Sequence, residues 1–562
     1  METKVSTQGS GSNGVEKVNI PPIKIYIHWI LLIAILLFAA FLRLYRISDY
    51  MTFLGDEGRD VLIVKHLLEG DLIGLGPTAS VGGFFTGPIY YYFMAPFLWL
   101  FRLDPVGPAI MVGLFGIATV FLVYLVGKTF FNVKAGLFAA ALYAVAPLVI
   151  AHSRSSWNPN PLPFFSLLAI FFVYQGVGKR ALKFTFIAGI LLGIALQLHY
   201  IATFLAVIIA VYIFFARSHL AQGETFINAL KRLIKNYVAA FFGFLAGYSP
   251  FLAFEATHGF PNIRTVMQFM FGGTGETGYT GDKFTAIIYD VFFRLFGRLI
   301  TRFPPPEQIT VGKDILLVDS YGFSISVPLG FLYIVTMVLA LGSISLLLYR
   351  MFRALREKSE SAQIYLLILI WIVVGVGLFG FYRKPIYDYY FGFMFPLPFL
   401  LVGMLLSTLY MRVKQGWLSI LGKTLVVAVF LALLLLNLDG RPMRYPPNRQ
   451  LTQVRQISKF VLEKAQSQPF NFALITQGNS DHAYRYFFEI DGNPPVTIEN
   501  VEKDPQRRTV TDQLLLICED PNCKPLGHPL WEVAGFGRAE IAGEWNISVV
   551  KVFKLVHYKG EQ

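Results

Sequence analysis

Charge is what this chain has least of. Only 15% of its 562 residues are charged, where a soluble protein of this length carries roughly 25%. The deficit falls in long apolar runs, and the charges gather between them. Runs of roughly 20 residues match a hydrocarbon core of ~30 Å at ~1.5 Å rise per residue, which excludes a soluble multidomain protein. Cysteine is nearly absent: Cys518 and Cys523, in CEDPNC, are the two it has. Two thiols do not supply the about four ligands of a zinc site. The pair reads equally as a small-loop disulfide of an oxidising compartment or as two free thiols. No basic block with interleaved aromatics stands outside the loops, so the net charge of +13 does not mark a nucleic-acid partner. No internal repeat recurs at a fixed period. The glycine-rich run Gly272–Gly281 lacks the Gly-Lys-Ser/Thr ending and the preceding strand of a phosphate-binding loop. It reads as a mobile outer loop, a candidate lid. The apolar run from Tyr26 to Leu42 is too long for a signal-peptide core and has no small-residue cleavage site, so it reads as a retained first span.

What is present is a series of about eleven such spans, near 25–45, 107–127, 133–151, 162–177, 183–199, 200–216, 236–255, 327–349, 363–382, 388–410 and 417–437. The aromatic segment Pro88–Phe101 is short and contains Pro96; counting it as a span would flip every later loop. With it excluded and the N-terminus inside, the cytoplasmic loops hold Lys128, Lys134, Lys179, Arg180, Lys183, Arg217, Lys231, Arg232, Lys235, Arg350, Arg353, Arg356, Lys358, Arg412 and Lys414. That is the positive-inside pattern. Pro88–Phe101 is then expected to lie on the outer surface, its aromatics at headgroup level among membrane lipids. The expected organisation is a disordered cytoplasmic segment 1–24, an all-α polytopic domain 25–437 with outer loops 46–106 and 256–326, and a small soluble extracytoplasmic α/β domain 438–562. In that last part Phe472–Thr476, Gln513–Ile517 and Ile547–Phe553 read as strands and Thr452–Gln466 as a helix.

Polar residues at the outer ends of the spans are the candidates for chemistry. The first outer loop opens on LGDEGRD, placing Asp56 and Glu57 where the chain leaves the membrane, at the start of a helix expected over Glu57–Glu69. Acidic residues suit a helix N-terminus; adjacent carboxylates beside an aromatic surface helix also suit a general base. The second outer turn, AHSRSSWNPNPLPFF, carries His152, Arg154, Trp157, Asn158 and Asn160. Its prolines end and start helices, while its Arg, Trp and Asn are groups that bind and stack on sugars. LQLHY adds His199 and Tyr200. In FEATHGFPN, Glu255 and His258 are three apart on one helix face, two ligands of an incomplete divalent-metal site. In FYRKPIYDYYF, Arg383 and Lys384 break the charge bias of the outer turns. With Tyr387 they suit a phosphate at headgroup depth, or anchor helix ends by snorkelling.

The order of these parts resembles the GT-C membrane glycosyltransferases, in the branch of the protein O-mannosyltransferases and the aminoarabinose transferase of lipid A modification. The likeness runs over about 25–440. It rests on a first span, an outer loop with an acidic pair, an aromatic surface helix after Gly-Pro, and the run GLFGIATVFLVYLVGKTFFNVKAGLFAAALYAVAPLVIAHSR. It implies an inverting transfer of mannose or another hexose from a polyprenyl-phosphate donor to a protein, lipid or glycan acceptor on the outer face of the cell membrane. Asp56 would match the family's base and Glu57 the acid that follows it. Lys384 and Tyr387 would match the donor-phosphate turn, and Glu255 and His258 the segment near the donor. The second outer turn departs from the pattern: it has Asn158 and Asn160 where an aspartate is common, and an amide neither takes a proton nor carries charge to a metal. The acidic-basic pair often found before the surface helix is here Thr86–Gly87, which argues against aminoarabinose. No WWD-type motif of oligosaccharide transferases stands in the tail. A flippase of lipid-linked sugars would show inverted repeats and charges near mid-membrane. A catalytically inactive binding protein on the same scaffold would be expected to lack Asp56.

Overall fold

The structure is a computed structural model that describes residues 24–216, 225–271, 282–305, 315–320, 323–412, 417–520 and 522–560. The segment 1–23 and the glycine-rich run Gly272–Gly281 lie outside the described residues. Helices dominate, because in lipid every backbone amide must find its partner within its own segment. Among the described residues six helices are long and apolar enough to cross a membrane: Tyr26–Leu44, Val106–Phe130, Phe226–His258, Leu329–Arg356, Ala362–Phe381 and Trp417–Asp439. Each of the other expected spans also falls on helix, but in shorter or broken pieces. Leu162–Gly178, Leu182–Leu198 and Tyr200–Ala216 have 10–17 residues.

Proline breaks two of these runs. The run 133–151 is cut into Val133–Val145 and Pro147–His152, since Pro147 has no N–H to continue the ladder. The run 388–410 is cut into a 3₁₀ turn, Asp388–Met394, and a helix, Pro396–Arg412, bent by 59°. Beside the two breaks, His152 and Tyr387–Tyr389 line the same hollow.

The aromatic helix Ile89–Leu100 has 12 residues, about 18 Å long, too short to cross. Its expected placement of aromatics among headgroups needs correction at two positions. Tyr90 and Tyr91 are buried in the protein, where the Tyr90 hydroxyl meets Ser156 Oγ at 2.8 Å and the Tyr91 hydroxyl donates to Asp60 at 3.2 Å. Trp99 and Leu100 stay exposed.

Strands form in two places. A hairpin not expected from the sequence pairs β1 (Ile315–Ser320) with β2 (Phe323–Pro328). The C-terminal part holds β3 (Asn471–Ile475), β4 (Gln513–Cys518), β5 (Ala539–Ile547) and β6 (Val550–His557), in the order β3-β4-β6-β5. β3 runs parallel to β4; the other pairs are antiparallel. The run Ile547–Phe553 is not one strand but the turn and the start of β6. β5 escapes a reading by apolar runs because it is a largely exposed edge strand rich in polar residues. Cys518 and Cys523 are joined as a disulfide.

The C-terminal part docks on the first outer loop. The helix His482–Ile490 lies against the helix Gly55–Glu69, and Glu489 reaches His66 at 3.0 Å and Lys65 at 3.3 Å. The approach needs glycine: a Cβ on Gly58 would stand 2.3 Å from the backbone of Ala483.

Candidate active site

The helix Gly55–Glu69 starts two residues earlier than expected, so Asp56 and Glu57 both lie in its first turn. They face different surroundings. Glu57 is 6% exposed and its carboxylate accepts from the Leu54 N–H at 3.0 Å, the return bond of a capping box. Burial pushes its carboxyl up to about 7. The Asp56 side chain is 57% exposed and pairs with Arg59 at 3.0 Å. Arg59 is in turn held by the buried Asp60 at 2.8 and 3.0 Å, on which the Tyr91 hydroxyl also converges. The Gly55 N–H donates to Asn479 Oδ1 at 2.8 Å, so the C-terminal part pins the residue preceding Asp56.

Asp56 and Glu57 line a cavity of about 730 Å³ with His152, Trp157, Asn160 and Glu519. A second cavity, of about 610 Å³, is lined by Arg294, Arg298, Tyr387, Asp388 and Tyr389, and again by His152. The two meet at an aromatic seam, where Trp157 packs edge-on to Tyr389 with ring centroids 4.6 Å apart. In the second cavity Asp388 is gripped by Arg294 at 2.6 Å and by Arg298 at 2.8 Å. Asp290 also pairs with Arg294, at 3.1 Å. The two carboxylates offset the two guanidiniums. Arg383 and Lys384 are exposed on the turn that leads into the Pro385–Tyr389 wall and do not line the cavity themselves. A third hollow, of about 240 Å³ and almost wholly apolar, is lined by Phe84, Tyr200, Phe204, Phe251, Met267 and Tyr382. The Tyr200 hydroxyl meets that of Tyr382 at 2.9 Å. His199 packs against Tyr200, Tyr389 and Tyr390, joining this hollow to the seam.

Several expected site residues do not face a cavity. Arg154 is buried, and its guanidinium donates to the carbonyls of Leu42 and Tyr45 at 2.8 and 2.7 Å, closing the end of the first span. The Asn158 amide donates to the Leu198 carbonyl at 2.6 Å. His199 is buried and accepts from the Ile201 N–H. Glu255 and His258 form no metal pair. Glu255 is buried and caps the next helix, accepting from the Ile263 N–H at 3.0 Å and from Asn262 Nδ2 at 2.8 Å. The His258 ring is exposed and stacks on Phe254. Among the described residues no group of three or more His, Cys, Asp or Glu is arranged to hold a metal ion. The amide nitrogens of Asn158 and Asn160 are spent on main-chain carbonyls.

Other residues in the cavities were not singled out by sequence. Arg294 and Arg298 carried a signal, two cations four apart in a loop the charge rule makes cation-poor. Asn479, Ser480 and Glu519 carried none, because their part in the wall depends on how the C-terminal sheet docks.

The fold belongs to a known class. The architecture is of the GT-C type. The family model described as dolichyl-phosphate-mannose-protein mannosyltransferase matches residues 86–246. The chain is similar to ArnT from Cupriavidus metallidurans bound to undecaprenyl phosphate, with TM-score 0.57 and 12% identity over 94% of this chain and 98% of that one. It is also similar to the archaeal oligosaccharyltransferase AglB from Archaeoglobus fulgidus in complex with an inhibitory peptide and a dolichol-phosphate, with TM-score 0.54 and 14% identity over 88% of this chain and 70% of that one. No curated protein sequence matches the chain.

Proposed function

We propose that the protein is an inverting glycosyltransferase that moves a hexose, with mannose the first candidate, from a polyprenyl-phosphate donor to an acceptor hydroxyl on the outer face of the cell membrane. The observation that carries this reading is the junction of the carboxylate-lined and guanidinium-lined cavities at His152 and the Trp157–Tyr389 seam. The donor phosphate lies among Arg294, Arg298, Arg383 and Lys384, with its prenyl chain in the apolar hollow beside Tyr200. The ArnT and AglB structures each contain a polyprenyl phosphate, which supports that placement. The acceptor lies in the Asp56 cavity. Its oxygen attacks the anomeric carbon, the bond from that carbon to the phosphate oxygen breaks, and the hydroxyl proton passes to the Asp56 carboxylate. The guanidiniums stabilise the charge that develops on the leaving phosphate. The N-terminus is cytoplasmic, the membrane domain covers 25–437, and the part 438–562 is extracytoplasmic.

The test is Asp56→Asn. Asn keeps the shape but takes no proton, so turnover should fall by the ~10²–10⁴-fold that general-base catalysis supplies, with donor affinity unchanged. If Asp56 serves only the first helical turn, the variant keeps more than about a tenth of wild-type turnover, since the lost dipole interaction is worth only ~0.3–1 kcal/mol.

A further inference from the structure

We infer that the acceptor is an uncharged carbohydrate hydroxyl, and that Glu519, brought in by the C-terminal sheet, enforces this choice. The inference rests on the reading of the Asp56 cavity as the acceptor site. The ionisable groups lining that cavity are Asp56, Glu57, His152 and Glu519; no lysine or arginine is among the described residues that line it. The nearest guanidinium, Arg59, is already answered by Asp56 and Asp60. Glu519 is held in place by Thr476 Oγ1 at 2.8 Å, the Tyr484 hydroxyl at 3.0 Å and Asn479 Nδ2 at 3.1 Å. It sits beside Cys518, whose bridge to Cys523 closes the loop that carries it. A phosphate or carboxylate next to the reacting hydroxyl would meet Glu519, whose partners are the neutral groups of Thr476, Asn479 and Tyr484, and like charges placed together are strongly disfavoured. The two cavities therefore sort substrates by charge, the anion of the donor on one side of the Trp157–Tyr389 seam and a neutral partner on the other.

Two features narrow the neutral partner to a sugar. The wall also carries an indole, Trp157, among the amides and hydroxyls of Ser155, Asn160, Asn479 and Ser480. An apolar ring with convergent polar groups suits a pyranose, which has an apolar face and a hydroxylated rim. A peptide acceptor bound as an added strand needs a free sheet edge. The edge strand that leads into this wall, β3, is buried at every position.

The experiment uses the purified full-length protein and a panel of undecaprenyl-phosphate hexoses labelled in the sugar. The donor that is consumed is then offered three acceptors: octyl mannoside, the same glycoside carrying a 6-phosphate, and a serine- and threonine-bearing peptide. The expected result is transfer to octyl mannoside with kcat/KM at least ~10-fold above that for the phosphorylated glycoside. The gap should narrow in ~1 M salt, where the Debye length falls to ~3 Å. Glu519→Gln should narrow it at low salt, and Glu519→Asp, which keeps the charge, should preserve it. Equal or faster transfer to the phosphorylated glycoside or to the peptide would overturn the inference while leaving the donor reading standing. Consumption of no donor in the panel would remove the underlying reading and the inference with it.

Discussion

Asp56 and Glu57 are neighbours in the chain and line one cavity, yet the first side chain is largely exposed and the second is buried against Leu54. The consequence is a pH signature. The Glu57 carboxyl rises from 4.5 unfolded to about 7 folded, with burial as the first cause. The folded state then holds the proton that the unfolded state has lost. Stability from this group is full below pH 4.5, declines as pH rises toward 7, and levels off above, for a total of about 3 kcal/mol. Asp60, raised to about 6 by its burial, acts in the same direction. Glu57→Gln keeps an acceptor for the Leu54 N–H and removes the ionisation. It should raise the melting temperature at pH 8 and flatten the dependence between pH 4.5 and 7, as calorimetry in one detergent would record. An unchanged pH profile would contradict this. Arg154 illustrates the opposite limit of residue-level reading. A polar group at a span's end looks functional in a string of letters, but helix termini leave carbonyls that need donors, and Leu42 and Tyr45 take both of its outer nitrogens. Arg154→Leu should therefore cost ~2–4 kcal/mol of stability and leave donor affinity intact in the folded fraction, measured by thermal shift and by binding side by side.

At the scale of elements, the two proline-coupled breaks and the helix Asp282–Gly297 build the cavity that holds Arg294 and Arg298. The breaks were not read from the sequence, where 133–151 and 388–410 count as unbroken spans although Pro147 and Pro396 stand inside them. The helix was not placed by its sequence, since nothing in a loop's composition says which wall it will form. Its Arg294, and Arg298 just beyond it, grip Asp388. Replacing Arg294 and Arg298 together with Gln should weaken binding of a polyprenyl phosphate by ~10-fold or more, because charge-assisted bonds to phosphate are the strong ones. It would also leave Asp388 unpaired. Adding Asp388→Asn should recover the melting temperature but not the affinity. Recovery of both would assign the arginines a purely structural part.

At the scale of the whole molecule, apolar length and loop charge were enough to read a helical membrane bundle with a small α/β part at its end, because lipid permits few alternatives. What they could not show is that the C-terminal part closes the candidate site. Gly55 and Gly58 stand where a Cβ would collide with Ser480 and Ala483, more than 400 residues away in sequence. Truncation after Asp439 should still insert in the membrane and still bind a polyprenyl phosphate, yet lose turnover, since it removes Asn479, Ser480 and Glu519 from the cavity wall. Reporter fusions at Lys134 and Gln468 should fall on opposite sides of the membrane. The central claim, that a lipid-linked sugar is split between the two cavities, is tested most directly by one measurement. Purified full-length protein is incubated with labelled polyprenyl-phosphate hexoses, and release of polyprenyl phosphate is followed beside the Asp56→Asn variant. The account predicts release by the wild type and at least ~100-fold slower release by the variant. Release at equal rates, or none from any donor, would contradict it.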